Sequence, residues 1–144
     1  MLKEYLKVLF QQLKEFLQIG EIRSDVELTR FIYDSKRILA TGRVKPRAFK
    51  PDSRRETSVF LLDGFSYAEK LEHEILHGRA GKKPKGYAIT STGLVRQIDL
   101  KTVHTIRPPK HAAIRGWPSE PEIELQKTQE LAADASRRGG VLCS

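Results

Sequence analysis

Thr57-Ser58-Val59-Phe60-Leu61-Leu62-Asp63-Gly64 is followed, after Phe65, by Ser66-Tyr67-Ala68-Glu69. The first six residues are hydroxyl-bearing, β-branched, aromatic or aliphatic, and Asp-Gly closes them, which predicts a strand and a tight turn. Ser66 and Glu69 form a capping box, in which each side chain accepts from the other residue's backbone N–H at the start of a helix. Ala68, Leu71 and Ile75 then recur on one face, and Gly78 is a good stop, so a helix is predicted over Tyr67–His77.

Upstream, Leu2, Leu6, Leu9, Leu13 and Phe16 alternate spacings of four and three and make one apolar stripe of an amphipathic helix, widened by Phe10 and Leu17 and ended near Gly20. That stripe must be buried, either on its own domain, the plainer choice, or in a dimer seam. Ser24-Asp25 offers a cap for a short helix over Val26–Tyr33. Pro46 and Pro51 disfavour regular structure, so 42–51 reads as an extended basic loop.

Downstream, short strands are expected at Tyr87–Thr90, Leu100–Ile106 and Ala112–Ile114, with an element of either type at Leu94–Ile98. Ser119 and Glu122 suggest a second capping box, opening a helix to about Ala135 in which Ile123, Lys127, Leu131 and Ala135 recur every four residues. The expected fold is α+β: a small, mostly antiparallel sheet packed by two or three helices, with the N-terminal helix of residues 1–20 laid across it. Residues 21–136 form one domain and 137–144 a flexible tail.

The 144 residues contain 39% hydrophobic and 31% charged side chains, which suits one globular domain. No apolar run approaches the ~20 residues of a membrane span. Lys3, Glu4 and Lys7 interrupt the N-terminal apolar stretch, unlike a signal peptide. Cys143 is the one cysteine, so an internal disulfide and a cysteine-based metal site are excluded and a reducing, cytoplasmic location is the default.

The formal charge is +8, from 26 basic and 18 acidic residues, and its distribution is uneven. Lys36, Arg37, Arg43, Lys45, Arg47 and Lys50 fall in a stretch with no acid; Arg79, Lys82, Lys83 and Lys85 form a second block; Arg96, Lys101, Arg107, Lys110 and Arg115 form a third. Loop-borne blocks of one sign suit a polyanion, nucleic acid or an acidic protein partner, while the plainer reading is a solvated surface. Phe49 between Arg47 and Lys50, and Tyr87 after Lys85-Gly86, place aromatic rings beside cations, a pattern that can stack bases while holding phosphate. No helix-turn-helix, zinc finger or ribonucleoprotein motif is present, so backbone contacts with little sequence readout are expected.

His73-Glu74-Ile75-Leu76-His77 matches a zinc-protease pattern. Two histidines one helical turn apart can share a zinc ion, and Glu74 would polarise its water. A third ligand is poorly supplied: the position six residues beyond His77 is Lys83. The plainer reading is an exposed helix face. His104 and His111 flank Arg107-Pro108-Pro109-Lys110, a mixture that could serve acid–base chemistry on a phosphodiester. A hydrogen bond from His111 to the turn before Trp117, with Trp117 as a core anchor, is the plainer account. Arg137-Arg138-Gly139-Gly140 superficially looks like a ubiquitin-type precursor tail, but a long helix immediately precedes it.

Several segments from Leu28 to about Ala135 carry a resemblance: Leu28-Thr29-Arg30-Phe31, Gly42-Arg43-Val44-Lys45-Pro46 with Ala48-Phe49, Ser58-Val59-Phe60 with Asp63-Gly64, and Pro108-Pro109-Lys110-His111-Ala112 with Gly116-Trp117-Pro118. In this order they resemble a group of small uncharacterised bacterial proteins. The resemblance implies a family and no activity. In that group the helix at 66–77 varies and lacks the paired histidines, which turns the resemblance against the zinc reading.

The expectation is therefore a basic intracellular binding or accessory protein without a cofactor. It would contact nucleic acid through Arg43, Lys45, Arg47, Lys82, Lys83, Lys85, Arg107 and Lys110, and the N-terminal helix could make it a homodimer. The alternative is a small hydrolase, either zinc-dependent through His73, Glu74 and His77 or metal-free through His111.

Overall fold

A strand buried on both faces carries apolar side chains on both, so its sequence need not alternate. Glu27–Ile32 is such a strand (β1), and the helix expected over Val26–Tyr33 is corrected accordingly. Leu28, Phe31 and Ile32 have helical spacing, yet Leu28 and Ile32 point to one face of a sheet while Thr29 and Phe31 are buried on the other. The structure, a computed structural model, describes residues 2–17, 22, 25–62, 83–105 and 111–142, with side chains of the first segment described for residues 2–9.

The other strands are β2 (Thr57–Leu61), β3 (Gly86–Ser91), β4 (Lys101–His104), β5 (His111–Arg115) and β6 (Val141–Leu142). Among the described residues every strand pairing is antiparallel, and the order is β4-β5-β2-β1-β3-β6. Three helices among the described residues accompany the sheet: α1 (Leu2–Leu17), α2 (Thr92–Gln97) and α3 (Pro121–Arg138). The fold is α+β, as the sequence predicts. The expected helix at 66–77 lies outside the described residues.

Leu28 and Ile32 of β1, Val59 and Leu61 of β2, and Ala112 and Ile114 of β5 join Leu131, Ala132 and Ala135 of α3 in one core. Phe49 and Trp117 belong to the same cluster, and the Trp117 indole N–H donates to the Ile114 carbonyl at 3.2 Å. Each fully buried large side chain of this kind contributes about 1.5–3 kcal/mol. The second face carries a row of rings across four strands. Phe31 meets Phe60 edge-on at 5.6 Å and Tyr87 at 6.4 Å, and Phe60 meets His111 at 5.2 Å.

Helix α3 opens differently from expectation. The Ser119–Glu122 box does not form: the cap is Glu120, without a side-chain cap bond, and Pro121 occupies the first turn. Its preset φ and missing N–H make proline suited to that place. The helix also runs on to Arg138, and Val141 and Leu142 pair with Tyr87 and Gly86. Residues 137–142 are thus built into the fold where a flexible tail was expected, and Gly139-Gly140 does not extend from it as a ubiquitin-like tail would. The ambiguous segment near Leu94 is helix α2, capped by the Ser91 hydroxyl, which accepts from the Leu94 N–H at 3.1 Å.

Helix α1 forms as its periodicity predicts, but the expected docking is not made by its described side chains. Leu2, Tyr5, Leu6, Val8 and Leu9 are all exposed, between 43% and 73%. No helix among the described residues is long and apolar enough to cross a membrane.

Candidate functional site

The strand register decides which basic blocks meet. Ile32 pairs with Gly86, Thr57 with Ile114, and Arg115 with Lys101. Antiparallel pairing therefore puts the end of β1, the starts of β2, β3 and β4, and the end of β5 at one end of the sheet. The long connection from Ile32 to Thr57 leaves and returns at this end, and Lys83 and Lys85 lead into β3 there. The Lys85 N–H donates to the Ile32 carbonyl at 2.7 Å. His104 and His111, which bound the connection carrying Arg107 and Lys110, lie at the opposite end. Of the described cations, those of 36–50 therefore share this end with Lys83, Lys85, Lys101 and Arg115.

The segment expected as an extended basic loop has a defined backbone. Residues 37–45 fold back on themselves: the Leu39 N–H donates to the Arg43 carbonyl and the Lys45 N–H to the Arg37 carbonyl, both at 2.8 Å, with a bridge between Ile38 and Val44. Pro46–Phe49 then makes one 3-10 turn. Ile38, Val44, Ala48 and Phe49 are buried, so the cations between them project outward: Arg43, Lys45, Arg47 and Lys50 are exposed. Together with Lys85 they have no ion-pair partner among the described residues.

Ties from other elements hold this backbone. The Arg30 guanidinium, on β1, donates to the Ala48 carbonyl at 3.0 Å and to the Ser58 carbonyl at 2.9 Å. The Thr57 hydroxyl donates to the Phe49 carbonyl at 2.8 Å. The Val44 N–H donates to the Ser136 hydroxyl at 2.9 Å, and the Gly140 N–H to the Gly42 carbonyl at 3.0 Å. A charged group whose backbone is fixed loses less freedom when it meets a ligand. Arg30, Thr57 and Ser136 escape sequence reasoning, because their partners are backbone atoms that no residue pattern identifies.

Other cations nearby are spent on structure. Arg55 pairs with Glu124 at 2.7 Å and donates to the Pro118 carbonyl; Arg115 pairs with Glu56 at 2.9 Å. Arg54 is exposed and has no ion pair among the described residues. Arg54 lies outside the three basic blocks of the sequence, and the adjacent Arg54-Arg55 pair is the signal that marks it.

The aromatic part of the expectation changes. Phe49 is 0% exposed and is a core residue, so it offers no face to a base. Tyr87 is half-buried in the ring row against Phe31.

His104 and His111 do not converge. His104 pairs with Ala112, a core residue, whereas His111 is one position earlier in β5 and points to the other face. His111 Nδ1 lies 2.6 Å from the Thr105 hydroxyl, and its ring packs edge-on against Phe60. The Thr105 hydroxyl stands just after the end of β4. Among the described residues no three His, Cys, Asp or Glu side chains gather as a metal would need. His73, Glu74 and His77, with Lys82, Arg107 and Lys110, lie outside the described residues. Comparison with protein-family models, curated proteins and solved structures found no match to the chain.

Proposed function

We propose that this is a basic intracellular protein that binds double-stranded nucleic acid along its phosphate backbone, through Arg43, Lys45, Arg47 and Lys50 with Lys83 and Lys85 beside them. One observation carries the reading: Arg43, Lys45, Arg47 and Lys50, exposed and without an ion pair among the described residues, alternate with buried anchors on a backbone tied to β1, β2 and α3. A duplex presents one charge per ~1.7 Å of axis and rewards clustered cations by counterion release. Sequence-tolerant single-strand binding relies on exposed rings for stacking. Phe49, set between Arg47 and Lys50, is buried, and Tyr87, beside Lys85, is half-buried with its ring packed against Phe31, which favours the duplex over the single strand. Membership of the bacterial group that the sequence segments resemble forms part of the same proposal.

Fluorescence anisotropy with a short labelled duplex and its single strand, at rising potassium chloride, tests it. Binding should weaken linearly in log–log form, and the R43A/K45A/R47A/K50A variant should lower the slope by about 3–4. Absence of duplex binding at low salt would overturn the proposal, and tighter binding of the single strand would overturn the choice of duplex.

A further inference from the structure

We infer that residues 136–142 act as a strap that holds the cationic loop in its binding shape; this rests on the reading of that loop as the nucleic-acid site. The strap crosses the loop at closest backbone approach. A Cβ on Gly140 would lie 2.8 Å from the Gly42 carbonyl oxygen and 2.9 Å from side-chain carbons of both Ile38 and Val44. A Cβ on Gly42 would lie 2.9 Å from the Gly140 carbonyl oxygen, and Gly42 also has a φ of 86°. These distances exclude any side chain at either position without displacing the strap from the loop. Farther along, Val141 and Leu142 pair with the start of β3, where a Cβ on Gly86 would meet the Val141 carbonyl oxygen at 2.6 Å.

One end of the strap is anchored firmly. Asp134 accepts from the Thr90 hydroxyl at 3.0 Å, and Arg138 pairs with Glu27 at 3.1 Å, so the last turn of α3 is fixed to the sheet. Ser136, between them, accepts from the Val44 N–H and lies 3.4 Å from the Val44 carbonyl oxygen. The other end is held lightly. Strand β6 is two residues long, with Val141 40% and Leu142 45% exposed. A two-residue pairing with exposed side chains belongs to the low-stability end of a fold. Without the strap, residues 37–45 lose the bonds to Ser136 and Gly140 and keep their own turn bonds and the packing of Ile38 and Val44, and a two-stranded hairpin held by so little is marginal in water. The loop would then have to be ordered at the moment of binding, a cost set against affinity. The number of phosphate contacts would stay the same.

Two variants of the full chain separate this from the function it rests on. Gly140→Val forces the strap off the loop. Amide exchange at Leu39, Val44 and Lys45 should rise while β1 and β2 stay protected. Duplex affinity at fixed salt should fall about tenfold, as when roughly one more residue must be ordered on binding. The salt slope should stay within about 1 of wild type, because no phosphate contact is removed. Unchanged exchange at these amides would overturn the inference, as would unchanged affinity alongside raised exchange. If β1 and β2 also lose protection, Ser136→Ala replaces it as the test: faster exchange at Val44 is expected, and wild-type exchange there would overturn the strap. If the wild-type chain binds no duplex, the nucleic-acid reading fails, and the exchange results still decide whether the strap orders the loop.

Discussion

Helix α1 and the segment 36–50 make opposite use of their sequences. The helix has the clearest periodicity in the chain, and it forms, yet its described apolar side chains meet water. The segment 36–50 has no periodicity, holds Pro46 and is followed by Pro51, yet it is tied to β1, β2 and α3 and contributes Ile38, Val44, Ala48 and Phe49 to the core. A repeat in sequence specifies an element and its apolar face. It does not specify what that face will meet. Conversely, ties from a side chain to a distant carbonyl leave no repeat behind, although they hold a loop in place alongside its packing.

Four substitutions sharpen or break this contrast. Phe49→Ala should have the largest effect, a loss of about 3–5 kcal/mol in urea unfolding, the usual range for emptying a buried aromatic site. A loss below 1 kcal/mol would mean that the loop is a surface feature after all. Arg30→Met comes next. It keeps much of the side-chain length but removes the donors to Ala48 and Ser58, and about 1.5–3 kcal/mol should be lost, as for hydrogen bonds from a charged group. Thr57→Val removes one buried hydroxyl from the Phe49 carbonyl and should cost about 1–3 kcal/mol by the same measurement. Leu6→Ser, on the exposed face of α1, should change unfolding by less than about 0.5 kcal/mol. A larger loss that grows with protein concentration would show that α1 is buried between copies of the chain.

The parts of the fold legible in the sequence are those whose local pattern agrees with their place in the sheet. Thr57–Leu61 and His111–Arg115 are short and bounded by turn residues, and both are strands. Glu27–Ile32 misleads because Leu28, Phe31 and Ile32 recur at helical spacing. Its apolar residues fall on both faces, and Arg30 occupies a core-facing position through bonds to carbonyls. The end of the chain misleads for a different reason. Two consecutive glycines read as freedom, whereas at Gly140 the missing side chain permits contact with the loop. The candidate site was legible as charge: Arg43, Lys45, Arg47 and Lys50 stand out in any count. That Phe49 faces inward while its neighbours face outward depends on the 3-10 turn after Pro46, which the sequence marks only by that proline.

The sequence separation between Val44 and Ser136 is 92 residues. A chain made from its N-terminus produces the cations of 36–50 early and the groups that fasten them late. Until Ser136 and Gly140 have been added, the loop has its charge without its final shape. Contacts this far apart also close slowly, because the intervening chain must first be ordered. A growing chain would therefore acquire its fixed cationic surface among the last events of folding, after most of the sheet beneath it exists.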